Sequence, residues 1–398
     1  MSPANAQRLR PADEAQAAAF VLDAGKQKLR LEIVGGGTRR GLGRPFYGDA
    51  ELSSQALNGI DFYEPAEMVI GAKAGTPLSV IEAAIAAHGQ ILPFEPMDAR
   101  SLYRWVGEPT LGGLIGGNIS GPRRISAGAA RDCVLGLRLV NGRGQIIKTG
   151  GRVMKNVTGL DLVRLNCGAM GTLGFITQAI VKLAPKPEAE ATVVIRRLDD
   201  AKAVAAMAIA LGSPWSLSGA AHLSAGMGRD FPRSFFRLEG FADSVAARRD
   251  KLIEALKDFG AKHAVEGDAS ARLWRAIRDV EFLSEPKERA IWRISVAPSN
   301  GPKLIAALGP MALAHFYDWG GGLIWLAAAP TPEVAGAIRA ALVPLGGQAT
   351  LMRAQDSLRE RVEVYQPLSP ALLEISRGIK ASFDPDGVLN AGRMYAEF

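Results

Sequence analysis

The sequence predicts an α+β protein of two domains, and three observations carry that prediction. The chain has 398 residues, more than one hydrophobic core usually organises. Its first half is dense in glycine, with short apolar segments between turns. After Pro185 and Pro187 glycine thins, and helical and strand periods alternate as two similar β-α-β blocks over an antiparallel sheet. A hydrophobic fraction of 48% against 22% charged residues is that of a folded globular chain.

Residues 12–25 read as a helix closed by Gly25. Leu29, Leu31 and Ile33 then alternate with Arg30, Glu32 and Val34, which reads as a strand. It runs into Gly35, Gly36 and Gly37, followed by Thr38, Arg39 and Arg40. Glycines let backbone N–H groups close on an anion and allow positive φ, Thr38 adds a hydroxyl, and the arginines add charge. The set suits a pyrophosphate and so a dinucleotide cofactor; from this segment alone an ordinary tight turn is the alternative. Two other phosphate loops are excluded. A Rossmann fingerprint from Gly35 needs glycine at position 40, which is Arg40, and a Walker loop from Gly36 reaches Gly41 but continues with Leu42 and Gly43. Gly41, Gly43 and Pro45 block a following helix.

A second strand begins near Met68, and a helix follows it with Thr76 as cap and Pro77 at its first position. Val80, Ile81, Ala84 and Ile85 form its expected apolar face, and Gly89 ends it. Residues 108–128 show neither period and hold six glycines, which reads as a long functional loop. Residues 131–150 read as a hairpin turning at Asn141-Gly142, and 151–183 as a helix and then a strand. In the second half, strands are expected at 192–198, 235–241, 291–296, 323–328 and 348–352. Helices are expected at 200–211, 242–259 and 331–344, and a last helix at 371–382 precedes the tail FDPDGVLNAGRMYAEF.

Net charge is 47 − 40 = +7, with a pI near 9.5. The basic residues form no run interleaved with aromatics, which argues against nucleic acid; a polyanionic cofactor, acidic substrates and a solvated surface account for the bias. Cys133 and Cys167 form no CxxC and are too few for an iron–sulfur centre, so both read as core thiols. The first residues lack an apolar signal core and no apolar run reaches about 18–20 residues. A cytoplasmic protein is expected, with peripheral attachment to the inner face of the plasma membrane through a partner left open.

Six segments occur in order: VGGGT, IGAKAGTPLSVIEAAIAAHGQILPFEP, TLGGLIGGNISGPRR, GGRVMKNVTGLDL, GAMGTLGFIT and DPDGVLNAGR. In them the chain resembles the vanillyl-alcohol-oxidase/PCMH-type flavoproteins, and among those the FAD-binding subunits of bacterial glycolate oxidases (glycolate dehydrogenases). The resemblance is dense over 29–185, looser over the second domain, and returns at the C-terminus. It implies a PCMH-type FAD-binding domain of two α+β subdomains at 1–187, an α+β cap domain with an antiparallel sheet at 188–367, and a segment at 368–398 returning to the first domain.

The resemblance also implies site residues. Gly35, Gly36, Gly37 and Thr38, with Arg39, would wrap the pyrophosphate of FAD. Thr110, Leu111, Gly112 and Gly113 would pass along the ribityl and diphosphate region, and Asn118, Ser120 and Gly121 would lie near the flavin. Gly171, Thr172, Gly174 and Ile176 would complete the groove, with Asn390 and Arg393 returning from the tail. Relatives often carry Pro and Lys where this chain has Ala391 and Arg393. Many bind FAD covalently through a histidine where this chain has Thr38, so non-covalent FAD is expected.

Catalytic relatives carry a cap-domain stretch G-H-x-G-D-G-N-x-H whose histidines hold a metal. The matching stretch, residues 317–325, has Asp318 and Trp325 at the histidine positions, and the chain's four histidines (88, 222, 263 and 315) lack metal-ligand spacing. No metal is expected. His315 reads as a strand residue, His88 as ending a helix. Oxidising a 2-hydroxy acid needs a base and a cation for the carboxylate. Arg293 could clamp a carboxylate, or be a structural pair or face solvent; Tyr317 and Asp318 are the candidates for a base. Trp292, Trp319 and Trp325 fit over a flavin, in a cap core or at a subunit interface. The expectation is a subunit that binds FAD while a homologous catalytic flavoprotein oxidises glycolate to glyoxylate and an iron–sulfur subunit carries electrons onward. The alternatives are an autonomous FAD-dependent 2-hydroxy-acid dehydrogenase and a non-catalytic structural subunit.

Overall fold

The computed structural model describes residues 7–152, 160–260 and 262–398. Residues 153–159, the middle of the GGRVMKNVTGLDL segment, and the first six residues lie outside them. The chain divides into two compact units. The first comprises Met1–Ile119, Gly128–Lys186 and Pro367–Phe398; the second comprises Ser120–Ala127 and Pro187–Gln366. Residues 120–127 fall with the second unit because Arg123 Nη2 pairs with Glu239 Oε1 at 2.6 Å and Trp319 Nε1 donates to the Gly121 carbonyl at 3.1 Å.

In the first unit, strands β1 (Gln7–Leu9), β2 (Leu31–Val34) and β3 (Ala50–Ser53) form a parallel sheet in the order β1-β3-β2. The helix Glu14–Gln27 starts at Asp13, whose carboxylate accepts from the Gln16 amide at 2.8 Å. It runs past Gly25: Lys28, not a glycine, takes the left-handed closing position at φ 57°, and the Leu29 amide bonds the Ala24 carbonyl. Ala17, Val21 and Ala24 pack with Leu31, Leu52, Val140 and Phe175.

The rest of this unit carries β4 (Ile60–Glu64), β5 (Val69–Lys73), β6 (Gln90–Ile91), β7 (Val134–Val140), β8 (Ile146–Gly150), β9 (Phe175–Lys182) and β10 (Ala184–Pro185). Five of them form an antiparallel sheet, β4-β5-β9-β7-β8, and β6 pairs with β10. The β7–β8 hairpin stands where the sequence placed it. Its turn is shaped by Asn141 Oδ1, which accepts from the Arg143 and Gln145 amides, and its left-handed residue is Gly144 rather than Gly142.

Two readings change. The helix after β5 is Leu78–Ala86; Thr76 does not cap it, because its hydroxyl is bonded to Gly59, and Val80 is 45% exposed while Leu78, Ile81 and Ile85 are buried. The glycine-rich stretch is not loop throughout. Leu111–Gly117 is a helix whose N-cap, Thr110, accepts from the Gly113 amide at 3.4 Å. Leu111, Leu114 and Ile115 lie on one face and are buried, and that burial outweighs the poor helix propensity of its glycines. Cys133 and Cys167 are buried at helix ends, and burial pushes their thiols up to about 11 and about 12.

The second unit is one antiparallel eight-stranded sheet. Its strands are β11 (Ala189–Arg196), β12 (Gly219–Leu223), β13 (Arg233–Gly240), β14 (Lys262–Glu266), β15 (Ala290–Ser295), β16 (Ala314–Asp318), β17 (Leu323–Ala328) and β18 (Gln348–Arg353). Their order is β14-β11-β13-β12-β16-β17-β15-β18. Each half is a βαββαβ block, the first with helices Asp200–Leu211 and Ala242–Ala255, the second with Gly301–Leu308 and Pro332–Leu342. The blocks join edge to edge where β12 pairs with β16, His222 opposite Tyr317. Val193, Ile195, Phe236, Leu238, Trp292, Ile294, Ile324 and Leu326 belong to the core that these strands share with the helices. The helix Gly267–Arg278 is an element the sequence reading did not contain.

Candidate cofactor site

The tail of the chain fixes β2. The Leu31 amide donates to the Val388 carbonyl at 2.7 Å, and the Asn390 amide donates to the Leu31 carbonyl at 3.1 Å. Asn390 then uses both ends of its side chain: Oδ1 accepts from the Ile33 amide at 2.9 Å and Nδ2 donates to the Met170 carbonyl at 2.7 Å. Below it, Lys380 Nζ bonds Asp384 Oδ2 (2.6 Å) and the carbonyls of Thr172 (2.7 Å) and Leu389 (2.8 Å), all buried. Burial pulls the Lys380 ammonium below its ordinary range, against the raising influence of Asp384.

A crevice opens where β2 ends. Thirteen of the expected residues line it: Gly35, Gly36, Gly37, Thr38, Arg39, Thr110, Gly112, Gly113, Gly171, Gly174, Ile176, Asn390 and Arg393. The glycines have separate reasons. A Cβ on Gly35 would fall 2.2 Å from Thr110 Oγ1, and one on Gly36 would fall 1.6 Å from the Glu108 carbonyl, so both are required by the packing of the loop against residues 108–110. Gly37 has φ +79°. A Cβ on Gly116 would meet nothing within 4 Å and would stand in open space.

Arg40 is neutralised by Glu32, at 3.0 Å, and by Glu51. Burial raises the Glu32 carboxyl, against the charges of Arg40 and Arg393. Arg39 Nη2 donates to the Met97 carbonyl at 2.8 Å, and Arg393 Nη2 to the Arg40 carbonyl at 2.7 Å.

The other expected residues lie elsewhere. Leu111 is in the hydrophobic core. The Thr172 hydroxyl donates to the Ala169 carbonyl at 2.7 Å. Asn118 ends its helix at φ 46°, its Oδ1 accepting from the Arg131 amide at 3.2 Å. Ser120 and Gly121 belong to the second unit. The crevice also takes in Glu32, Ile33, Val34, Ser54, Gly116, Gly117, Met170 and Phe175. Gly116 and Gly117 stand inside the TLGGLIGG run and could have been named from it; Ser54 carried no local signal.

The arrangement fits a dinucleotide. Its wall is backbone bared by glycine, with the hydroxyl side chains of Thr38, Ser54 and Thr110 and three guanidinium groups, those of Arg39, Arg40 and Arg393.

In the second unit, residues 317–325 span the turn from β16 to β17, where Gly320 (φ 67°) and Gly321 (φ 101°) supply left-handed backbone. Tyr317 is fully buried and its hydroxyl donates to Asp200 Oδ2 at 2.8 Å; burial and that carboxylate push the phenol far above its ordinary range. Asp200 also pairs with His315 Nε2 at 2.8 Å and lies 3.5 Å from His222 Nε2. Burial raises the Asp200 carboxyl, but bonds from His222, His315 and Tyr317 outweigh it and hold the group well below the usual carboxylate range. Asp318 is buried and its Oδ1 accepts from the Trp319 amide at 2.7 Å. Trp292 is in the core, and Trp325 stacks on Phe316. Among the described residues no group of three or more His, Cys, Asp or Glu could hold a metal ion.

The family model described as "FAD binding domain" matches residues 6–150, and the fold is that of a FAD-binding oxidoreductase. Glycolate oxidase subunit GlcE of Escherichia coli (strain K12) is 35% identical over 373 residues, 93% of this chain and 94% of the relative. The chain therefore belongs to the family of FAD-linked oxidoreductases that includes glycolate oxidase subunit GlcE. Glycolate oxidase subunit GlcD of Bacillus subtilis (strain 168) is 51% identical over 85 residues, 21% of this chain and 18% of the relative. Alkyldihydroxyacetonephosphate synthase shares the fold, with a TM-score of 0.69 at 16% identity over 96% of this chain and 76% of that one.

Proposed function

We propose that this chain is the FAD-holding subunit of a multi-subunit glycolate dehydrogenase. A homologous flavoprotein removes two electrons and two protons from glycolate to give glyoxylate, and an iron–sulfur subunit receives electrons. The observation that carries the reading is a crevice of bared backbone in one unit, together with the engagement of Tyr317 and Asp318 of the second unit in internal hydrogen bonds. The relatives named glycolate oxidase subunits GlcE and GlcD supply the substrate and the multi-subunit organisation. Two cysteines are too few to ligate a cluster here, so a separate subunit carries it.

In this reading the Gly35–Gly37 backbone and Thr38 hold the diphosphate, and Arg39 adds positive charge beside it. Thr110, Gly112, Gly113, Gly171, Gly174 and Ile176 line the path of the cofactor. Asn390 and Arg393 keep the wall in place. FAD, when bound, supplies reversible one- and two-electron acceptance; the chain supplies binding, orientation and exclusion of water. FAD is held non-covalently, because Thr38 stands where relatives place a histidine and no residue lining the crevice among the described ones is His, Cys or Tyr. Among the described residues no helix is long and apolar enough to cross a membrane. In this reading the complex works in the cytoplasm, and any attachment to the plasma membrane comes through the partners.

Co-purification from the native host, with subunit identification and flavin content, tests cofactor and partners together. Anaerobic mixing of the isolated chain with glycolate or D-lactate should leave its flavin oxidised. Bleaching would establish an autonomous dehydrogenase instead, and a colourless chain with no FAD affinity a structural subunit.

A further inference from the structure

At one corner of the eight-stranded sheet, β11 ends and β13 begins on an arginine. Arg196 stands directly opposite Arg233 in the antiparallel register, and like charges in that relation destabilise a sheet. Arg197 follows at φ 66°, a left-handed conformation that strains a side-chain-bearing residue. The loop 224–232, which joins β12 to β13, adds Arg229. Arg196, Arg197 and Arg229 are exposed and Arg233 is half-buried. Among the described residues none of the four makes an ion pair, and neither does Asp230 of the same loop. Arg293, the candidate clamp of the sequence, differs in kind: it lies in β15, 4.9 Å from the Trp319 ring centroid, with the Asp318 charge acting on it.

The loop is shaped to hold these cations together. The Arg197 amide donates to the Pro232 carbonyl and the Gly226 amide to the Arg229 carbonyl, both at 2.8 Å. Met227 is buried, and Arg233 Nη2 donates to its carbonyl. The guanidinium carbons of Arg196 and Arg197 stand 5.8 and 5.6 Å from the Phe231 ring centroid, so one ring gathers two cations. Arg233 Nε is buried without a hydrogen-bond partner. Burial, then the charges of Arg229 and Arg196, pull the Arg233 guanidinium below its ordinary range, and no carboxylate offsets them.

We infer that this corner, Arg196, Arg197, Arg229 and Arg233 around Phe231, docks a carboxylate-bearing surface of another subunit of the complex. Four cations held together, two of them in direct opposition, lower the stability of the chain by itself. Carboxylates of a second protein remove that repulsion, and each guanidinium can pair with one through two parallel hydrogen bonds. A protein surface fits better than a bilayer. None of the large apolar side chains exposed on the chain belongs to the corner, so nothing there enters a bilayer, and the half-buried Arg233 asks for a partner with relief. The acidic character of the partner is read from these charges; that it is a subunit of the same complex rests on the proposed function.

The test co-expresses the full chain with the homologous flavoprotein and the iron–sulfur subunit of its native host, and measures their association at 0.1 M and 0.5 M salt (about a threefold and a sevenfold change from a dilute buffer's screening length). The double variant Arg197→Glu, Arg229→Glu should weaken association about tenfold or more at the lower salt, and the difference should shrink at the higher one. Flavin content should stay at the wild-type level. Arg196→Thr, which removes one of the two opposed charges, should weaken association too while leaving the Tm of the isolated chain unchanged or raised. A Tm lowered by several degrees would assign the arginines to holding the fold and overturn the inference. So would association unchanged in both variants, which leaves the subunit reading standing. A wild-type chain that elutes alone at either salt overturns both. Wild-type retention on phosphatidylserine vesicles that the double variant loses, with association unchanged, would give the corner to a membrane and overturn the docking surface.

Discussion

Asn390 accepts a hydrogen bond from the Ile33 amide across 357 residues of sequence, and so ties the end of the chain to the strand that opens the crevice. Its other side-chain atom holds the Met170 carbonyl. Asn390→Ala leaves both backbone groups without this partner and should cost about 1–3 kcal/mol. FAD affinity should fall at least tenfold. Asn390→Asp keeps the acceptor and loses the donor, and should fall between wild type and alanine. Urea unfolding and flavin-fluorescence titration check both numbers.

Two glycines of the same crevice should respond with opposite signs. Gly36→Ala forces a methyl group into the Glu108 carbonyl and should lower stability along with FAD binding. Gly116→Ala meets no protein atom and lies in a helix, where alanine is favoured over glycine by about 1 kcal/mol. It should leave Tm unchanged or slightly raised, while Gly116→Leu, whose side chain enters the crevice, abolishes FAD retention. Thermal melts of apoprotein alongside flavin content separate the two effects.

Lys380 and Asp384 anchor the tail from within the core. Lys380→Met leaves a buried carboxylate that still accepts from the Val388 and Leu389 amides, so the cost should be about 3 kcal/mol. Since that tail positions Asn390, the variant should also lose flavin on gel filtration. A variant that keeps wild-type stability would mean the pair is dispensable.

Asp200 gives the second unit an acid-sensitive joint. Its folded pKa lies below the unfolded value of about 3.9, so its contribution is complete above that value and is lost as pH falls through the folded one. Asp200→Asn should cost about 1–3 kcal/mol at pH 7 and flatten the loss of stability between about pH 4 and pH 2. Urea midpoints across that range, for wild type and variant, decide it.

Much of this was legible because apolar periodicity is local. The helix Asp200–Leu211 and strand Leu323–Ala328 stand at the residues read from their pattern. Strands β12, GAAHL, and β14, KHAVE, were not read: one is short and rich in small residues, the other a sparsely apolar edge. Leu111–Gly117 reads as loop from sequence because its glycines mask a buried stripe of three residues. The glycines of the crevice were legible, but their cause was not, since Thr110 and Glu108 press on Gly35 and Gly36 from far along the chain.

The central claim is that this crevice holds FAD without a covalent bond. Calorimetric titration of FAD into apoprotein, followed by acid precipitation of the loaded chain, tests it most directly. One equivalent should bind saturably, and all yellow colour should leave with the supernatant. Absence of binding heat, or flavin that stays in the pellet, would contradict it.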